Sequence, residues 1–369
     1  MTTAGKVQRK WPWVLLGVAV AGLVVVPAAA TFYTHVSSYR RPPAFRDAAD
    51  ITYADVDAAT HPRREVSFPS GDVTLAGYVY PASGDGAPSE KPVGLAIVVH
   101  GLNSNADKML PLITYFQERG WTVFAFDGTG AGASGGDSVR GLNQQRLDLE
   151  AAVAYIADQP DLARLPCVLV GHSMGGHAVT SAFADGIDQQ LDIRAAVAFS
   201  AFNSGIETTD VLFDTYAGPV APLLKPWVWV AYHATFGPAT DVTAVDGINA
   251  TDVPFMCVYG TDDEAVPAWR SGIPAHASQI TNPNVELVEV ADQYRNTHST
   301  LWLTSDSAYY ALETWDKRDA LLASISGDPM ADPGYREFVQ SVDKNRMAQT
   351  DPALMRRVES FCRERAKSV

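Results

Sequence analysis

Cysteine is scarce in this sequence, with three in 369 residues, at positions 167, 257 and 362. An odd, widely spaced set excludes a disulfide framework, and no two lie close enough for a zinc knuckle. Cys167 and Cys257 each sit in an apolar run that reads as a buried strand, where cysteine behaves as a small hydrophobe. Basic residues are also in short supply, 28 Lys and Arg against 42 Asp and Glu, for a formal net charge of −14. Such a surface repels phosphate rather than releasing its counterions, which argues against a nucleic-acid partner. Histidines and carboxylates are not grouped at ligand spacing, so neither a metal nor another cofactor is expected. Internal repeats are missing as well. What remains is ordinary globular composition, 47% hydrophobic and 19% charged, which excludes wholesale disorder.

One stretch carries no charge at all. Lys6, Arg9 and Lys10 precede a run from Trp11 to Tyr33, 23 residues long, where a spanning helix needs about 20. Pro27 followed by Ala28-Ala29-Ala30 resembles a signal-peptidase site, yet the run exceeds the ~7–15 residues of a cleaved signal core. An uncleaved signal anchor, with membrane contact through residues 11–33, is therefore expected ahead of a cleaved signal peptide and a secreted product. Basic residues tie across the run, with Arg40, Arg41 and Arg46 on the far side, so the positive-inside rule does not orient it. A single N-terminal anchor on a short tail points to an extracytoplasmic domain.

Residues 34–63 read as a linker. From Arg64 an antiparallel hairpin is expected, Glu65–Phe68 and Val73–Tyr80 around a turn at Ser70-Gly71-Asp72, and residues 82–92 form a loop. Short apolar runs then alternate with longer helical stretches. The runs are Leu95–Val99, Trp121–Phe126, Cys167–Val170, Ala195–Phe199, Pro254–Tyr259 and Val285–Val290. Helices are expected around 105–119, 143–158, 174–185 and 267–279. Runs apolar on both faces mark a parallel sheet between helices, so the fold class is α/β, doubly wound, over residues 64–325. Residues 203–250 break the rhythm and read as a helical cap with Trp227, Trp229, Tyr232 and Phe236. Residues 326–369 read as a helical extension, with Leu354, Val358, Phe361 and Cys362 as one apolar stripe.

The chemistry concentrates in a few places. Gly171-His172-Ser173-Met174-Gly175 follows an apolar run and opens a helical stretch, the strand–turn–helix setting of a nucleophile elbow. The serine sits on a strained turn, and its neighbours two residues away must lack a Cβ. A serine hydroxyl is nearly inert at neutral pH, so it needs a base and a group to orient that base. The run ending at Tyr259 leads into Gly260-Thr261-Asp262-Asp263-Glu264-Ala265-Val266-Pro267, where three acids crowd the end of a strand. The loop after Val285–Val290 carries His298. Upstream, Leu95–Val99 runs into His100-Gly101-Leu102-Asn103-Ser104-Asn105. Asp127-Gly128-Thr129-Gly130-Ala131-Gly132-Ala133-Ser134-Gly135 is a second glycine-rich loop.

On these motifs, residues 64 to about 300 resemble the α/β-hydrolase superfamily. The resemblance is to the serine-hydrolase branch with monoglyceride lipases, cinnamoyl and feruloyl esterases and serine aminopeptidase-like proteins. It implies the order Ser, acid, His, with Ser173 as nucleophile and His298 as base. Its Gly-x-x-Asp-x-x-Val-Pro pattern selects Asp263, with Asp262 as the alternative. It also implies an oxyanion hole from the amides of Leu102 and Met174. The 127–135 loop departs from the branch in having Gly128 where arginine is common. Asn103, Trp227, Trp229 and Tyr232 are the candidate substrate contacts, although the cap aromatics would equally serve to pack the cap. The expected activity is hydrolysis of a small-molecule acyl ester. Peptidase or acyltransferase chemistry on the same triad, and a non-catalytic membrane-tethered binding module, are the alternatives.

Overall fold

The computed structural model describes residues 11–84, 87–88 and 91–367. Lys6, Arg9, Lys10 and part of the 82–92 loop lie outside the described residues. The hairpin forms as expected from Arg64–Ser70 (β1) and Val73–Tyr80 (β2). The six apolar runs follow as Leu95–Val99 (β3), Thr122–Phe126 (β4), Cys167–His172 (β5), Ile193–Phe199 (β6), Phe255–Gly260 (β7) and Val285–Val290 (β8). They make one eight-stranded sheet in the order β1-β2-β4-β3-β5-β6-β7-β8. β2 is antiparallel to both its neighbours, and all pairs from β4 to β8 are parallel.

Alternation along the strands explains the two apolar cores. In β3, Ala96 and Val98 face one core while Leu95, Ile97 and Val99 face the other; Val168 and Val170 in β5 oppose Cys167 and Leu169. Side chains with period two on both faces leave no polar side, so helices must cover both. Burying each Val or Leu contributes about 1.5–3 kcal/mol.

The helices are Trp11–Ser38 (α1), Leu110–Gln117 (α2), Gln144–Ala157 (α3), Met174–Ser181 (α4), Gly205–Ala217 (α5), Ala221–Phe236 (α6), Ala244–Asn249 (α7), Ser305–Ser324 (α8), Pro333–Ser341 (α9) and Pro352–Lys367 (α10). α3, α4 and α7 cover one face, and α2, α8 and α10 the other. α2 starts at Leu110 because Pro111 fits a first turn, where its missing N–H costs nothing. In α1 a single wide turn at Ala21–Val25 precedes Pro27. Proline donates no hydrogen bond and its ring crowds the carbonyl four residues back, so the helix widens there.

Three expectations are corrected. No α-helix forms over 267–279; Pro274 blocks it, and the chain makes only a 3₁₀ segment at Ile273–Gln279. The 34–63 linker is instead a packed strap, because α1 continues to Ser38 and Tyr39, Ala49 and Asp50 are buried. The Arg41 guanidinium holds the carbonyl oxygens of Gly132, Ser134 and Gly136, and Tyr335 donates to the Phe45 carbonyl at 2.7 Å. Residues 326–369 are no appendage either. The stripe of α10 enters the main core through Leu354, Val358, Phe361 and Cys362, packing against β6 and β5.

Candidate active site

The turn from β5 into α4 holds Ser173 at φ +53, a region that side chains rarely occupy and that costs on the order of 1–3 kcal/mol. The surroundings enforce it. A Cβ on Gly171 would fall far inside 3.0 Å of the Gly175 carbonyl, and one on Gly175 would do the same to the Val99 carbonyl. Only glycine lets the turn approach β3 this closely. The Ser173 N–H donates to the Phe199 carbonyl at 2.8 Å, and the Ser173 carbonyl accepts from His177 N–H at 2.9 Å.

The structure brings Ser173, His298 and Asp263 together. The Ser173 hydroxyl donates to His298 Nε2 at 2.9 Å, and His298 Nδ1–H faces both Asp263 oxygens at 3.0 and 2.9 Å. Asp263 Oδ1 also accepts from the Val266 N–H at 2.8 Å and the Ala265 N–H at 3.1 Å. Burial alone pushes this carboxyl up. The hydrogen bond and charge of His298, the Val266 N–H and the Ser200 hydroxyl outweigh burial and hold it below the usual carboxylate range. Asp262 points into solvent, and its backbone N–H donates to the Asn296 carbonyl at 2.9 Å, tying the acid loop to the histidine loop. His276 lies apart, paired with Glu207.

Two residues that the sequence reading passed over position the histidine. His172 Nε2–H donates to the His298 carbonyl at 2.9 Å, and the Ser200 hydroxyl donates to the same oxygen at 3.0 Å. A carbonyl only accepts, so His172 carries its proton on Nε2. Burial and the neighbouring His298 push its pKa down to about 3, leaving it neutral. Nothing local in the sequence signals this role for His172, whose partner lies 126 residues away. Ser200 stands at φ +48 at the end of β6.

The His100-Gly101-Leu102 loop passes directly over the nucleophile, since a Cβ on Gly101 would lie 3.1 Å from Ser173 Cβ. Leu102 and Met174 share one apolar cluster with Tyr39 and Phe202. His100 ties this loop to the backbone at Gly128. Its Nδ1–H donates to the Gly101 carbonyl at 2.7 Å while Nε2 accepts the Gly128 N–H at 2.9 Å. A Cβ at 128 would meet the Gln145 side-chain amide, so a larger residue there requires Gln145 to swing aside. In the same loop Asp127 accepts from Ala106 N–H, Tyr78 hydroxyl and Ala133 N–H at 2.8–2.9 Å.

Ser173 and His298 open into a cleft of about 410 Å³. Its walls come from the segment after β3 (Leu102, Asn103, Met109), the loop after His298 (Trp302, Leu303), α8 (Trp315, Arg318), the strap (Asp50, Ile51) and Met347. Asn103 therefore lines it as expected, at φ +55. The cap aromatics do not. Tyr232 is buried with its hydroxyl bonded to those of Tyr39 (2.8 Å) and Thr209 (2.7 Å). Trp229 is exposed and stacks on His233, and Trp227 is half-buried outside the cleft lining. The cap turns its aromatic helix toward α1, so these three residues are corrected as substrate contacts.

Known proteins agree with this architecture. A family model described as serine aminopeptidase, S33, matches residues 90–245. The monoacylglycerol lipase of Mycolicibacterium smegmatis is 34% identical over 215 residues, covering 50% of this chain and 75% of that protein. The uncharacterised protein YfhR of Escherichia coli O157:H7 is 32% identical over 212 residues, covering 56% of this chain and 64% of that protein. An esterase of Pyrococcus furiosus superposes with a TM-score of 0.51 at 20% identity, covering 78% of this chain and 99% of that one, a likeness of fold alone. The chain belongs to the α/β-hydrolase superfamily, in its serine-hydrolase branch.

Proposed function

We propose that this protein is a membrane-held serine esterase that cleaves carboxylic esters through an acyl-enzyme on Ser173. The observation that carries the reading is the relay from Ser173 Oγ through the His298 ring to Asp263, with both links near 3 Å and its outer end open to the cleft. Ser173 Oγ attacks the carbonyl carbon as His298 Nε2 takes its proton, and Asp263 steadies the imidazolium that forms. The amides of Leu102 and Met174 receive the negative charge on the carbonyl oxygen; losing one such donor costs about 2.7–4 kcal/mol. His298 returns the proton to the departing alcohol as the C–O bond breaks. Water then attacks the acyl-enzyme, giving its proton to the same nitrogen, and Ser173 leaves reprotonated with the acid as product.

The charges in the cleft favour an ester over an amino-terminal peptide. A substrate ammonium needs an unpaired carboxylate, yet Asp50 faces Lys108 at 3.1 Å and Trp315 Nε1–H at 3.1 Å, while Asp319 is paired with Arg318 at 3.0 Å. The remaining walls are largely apolar, which suits an acyl chain.

Membrane attachment would come from α1, 28 residues long and 12% buried along its most apolar stretch. The enzymatic reading is tested by fluorophosphonate labelling beside hydrolysis of p-nitrophenyl esters and aminoacyl anilides. Wild type should label and cleave the esters, and Ser173→Ala should do neither. Equal labelling of the two proteins would sink the assignment, and faster anilide cleavage would turn it toward a peptidase.

A further inference from the structure

The helix α6 is apolar on both faces, burying Ala221, Val228, Ala231 and Phe236 on its inner side. Its one Lys, Arg, Asp or Glu side chain, Lys225, turns inward to Asp214 at 2.8 Å, and the Tyr232 hydroxyl is buried in hydrogen bonds. Its outward face carries Leu223, Trp229 and Val230 exposed, along with Pro222 and Pro226. The turn before it continues the pattern: residues 216–224 (Tyr-Ala-Gly-Pro-Val-Ala-Pro-Leu-Leu) hold no charge, and Tyr216 is 85% exposed. An ordinary surface helix places charge outside and apolar side chains within. A helix apolar on its outer face as well calls for an apolar solvent.

The packing of α1 identifies that solvent. Thr31 and Pro27, one turn apart on the same side, are the buried positions of its second half. Thr31 Oγ1 reaches the Leu224 carbonyl at 3.4 Å, the His35 ring lies 5.4 Å from that of Tyr232, and Tyr39 bonds to Tyr232. Later residues of α1 meet later residues of α6, so the two helices run the same way. The 216–224 tip consequently points back toward Trp11. At about 1.5 Å per residue, Thr31 stands about 30 Å along the helix from Trp11, which is about the depth of a bilayer's hydrocarbon core. Leu224 is therefore level with the membrane boundary, and the tip lies on its lipid side.

We propose that the α5–α6 tip, residues 216–224, inserts into the same bilayer as α1 and makes the cap a second membrane contact. The proposal rests on the reading of α1 as an anchor. The occupant of the apolar face is lipid, because the surface is continuous with α1 and uncharged at the depth where α1 is apolar. Trp229 sits farther along α6, where an amphipathic ring suits the headgroup layer.

The test uses the full chain in phosphatidylcholine proteoliposomes, with and without phosphatidylcholine carrying a doxyl group on its acyl chain. Single cysteines are introduced by Val220→Cys or Leu223→Cys and labelled with an environment-sensitive nitrobenzoxadiazole dye. The three native cysteines are buried, which restricts labelling to the new site. Leu23→Cys reports on α1. Gln190→Cys, exposed just before β6 at the sheet end opposite Ser173, reports on water. An unchanged melting temperature verifies that each labelled protein is folded. The expected result is blue-shifted emission at 220 and 223 that is lost to the doxyl lipid, as at 23, with neither effect at 190. Quenching at 23 without quenching at 220 and 223 overturns the proposal and leaves the anchor intact. A blue shift at 220 and 223 without quenching also overturns it, since protein then covers the tip. No quenching at 23 removes the anchor reading, and this proposal with it.

Discussion

The strand-end site and the helical cap are built on opposite principles. Around Ser173 the backbone has almost no freedom: glycines at 171 and 175 sit where any Cβ would strike a carbonyl, and buried hydrogen bonds fix each loop. At the two ends of α6, Gly218 and Gly237 turn the chain at φ +52 and +55 with nothing within 4 Å of an added Cβ, and large apolar side chains face outward. One region is specified by close contact, the other by the medium around it. Chemistry that needs sub-ångström placement belongs to the first kind, and contact with a fluid surface to the second.

The contrast sharpens under mutation, and Ser173→Ala should have the largest effect. Steady-state ester hydrolysis is expected to lose about 10⁴-fold or more in kcat/KM while the melting temperature holds. A Ser173→Ala protein that still turned over would break the comparison at its stronger end. Next comes Gly175→Ala, expected to destabilise by about 3 kcal/mol through overpacking against β3. Gly22→Ala, in open space on α1, should leave thermal unfolding unchanged. Equal melting shifts for the two would mean that close approach at 175 is not required.

His172→Ala probes the support behind the base. Losing a buried donor to the His298 carbonyl is expected to lower kcat by about 10–100-fold with little change in KM. A rise in KM at constant kcat would instead make His172 a substrate contact. Smallest is Tyr232→Phe, expected to cost about 1 kcal/mol in unfolding experiments through its bonds to Tyr39 and Thr209. Hydrolysis of a short soluble ester should be untouched. A tenfold fall in kcat/KM there would return Tyr232 to the substrate site.

Legibility in the sequence follows the same divide. Leu95–Val99 was readable to the residue because a strand buried on both faces leaves a continuous apolar run, and the edge strand Val285–Val290 because its valines and leucine stand out between Glu286 and Glu289. The elbow and the order of Ser173, Asp263 and His298 were readable because the glycine spacing encodes a local collision. His172 was not, since its partner lies 126 residues away. The strap at 39–51 was hidden for the same reason: mixed composition looks like a linker until Arg41, Asp50 and Phe45 meet distant partners. Sequence showed that the cap was aromatic without showing which way the rings turned. It therefore left Trp227, Trp229 and Tyr232 open between substrate contact and cap packing, whereas Trp302 and Trp315 line the cleft.

The seating of α10 has a consequence for how the molecule is made. Glu359 accepts the indole N–H of Trp121 across 238 positions, and the helix bearing it roofs Val168, Val170 and Val197. During synthesis these valines are translated long before their cover emerges, so a greasy sheet face waits for α10 to arrive. Holding chaperones would find their client in that interval. A ribosome stalled before codon 352 would leave a half-roofed intermediate prone to clump with its neighbours.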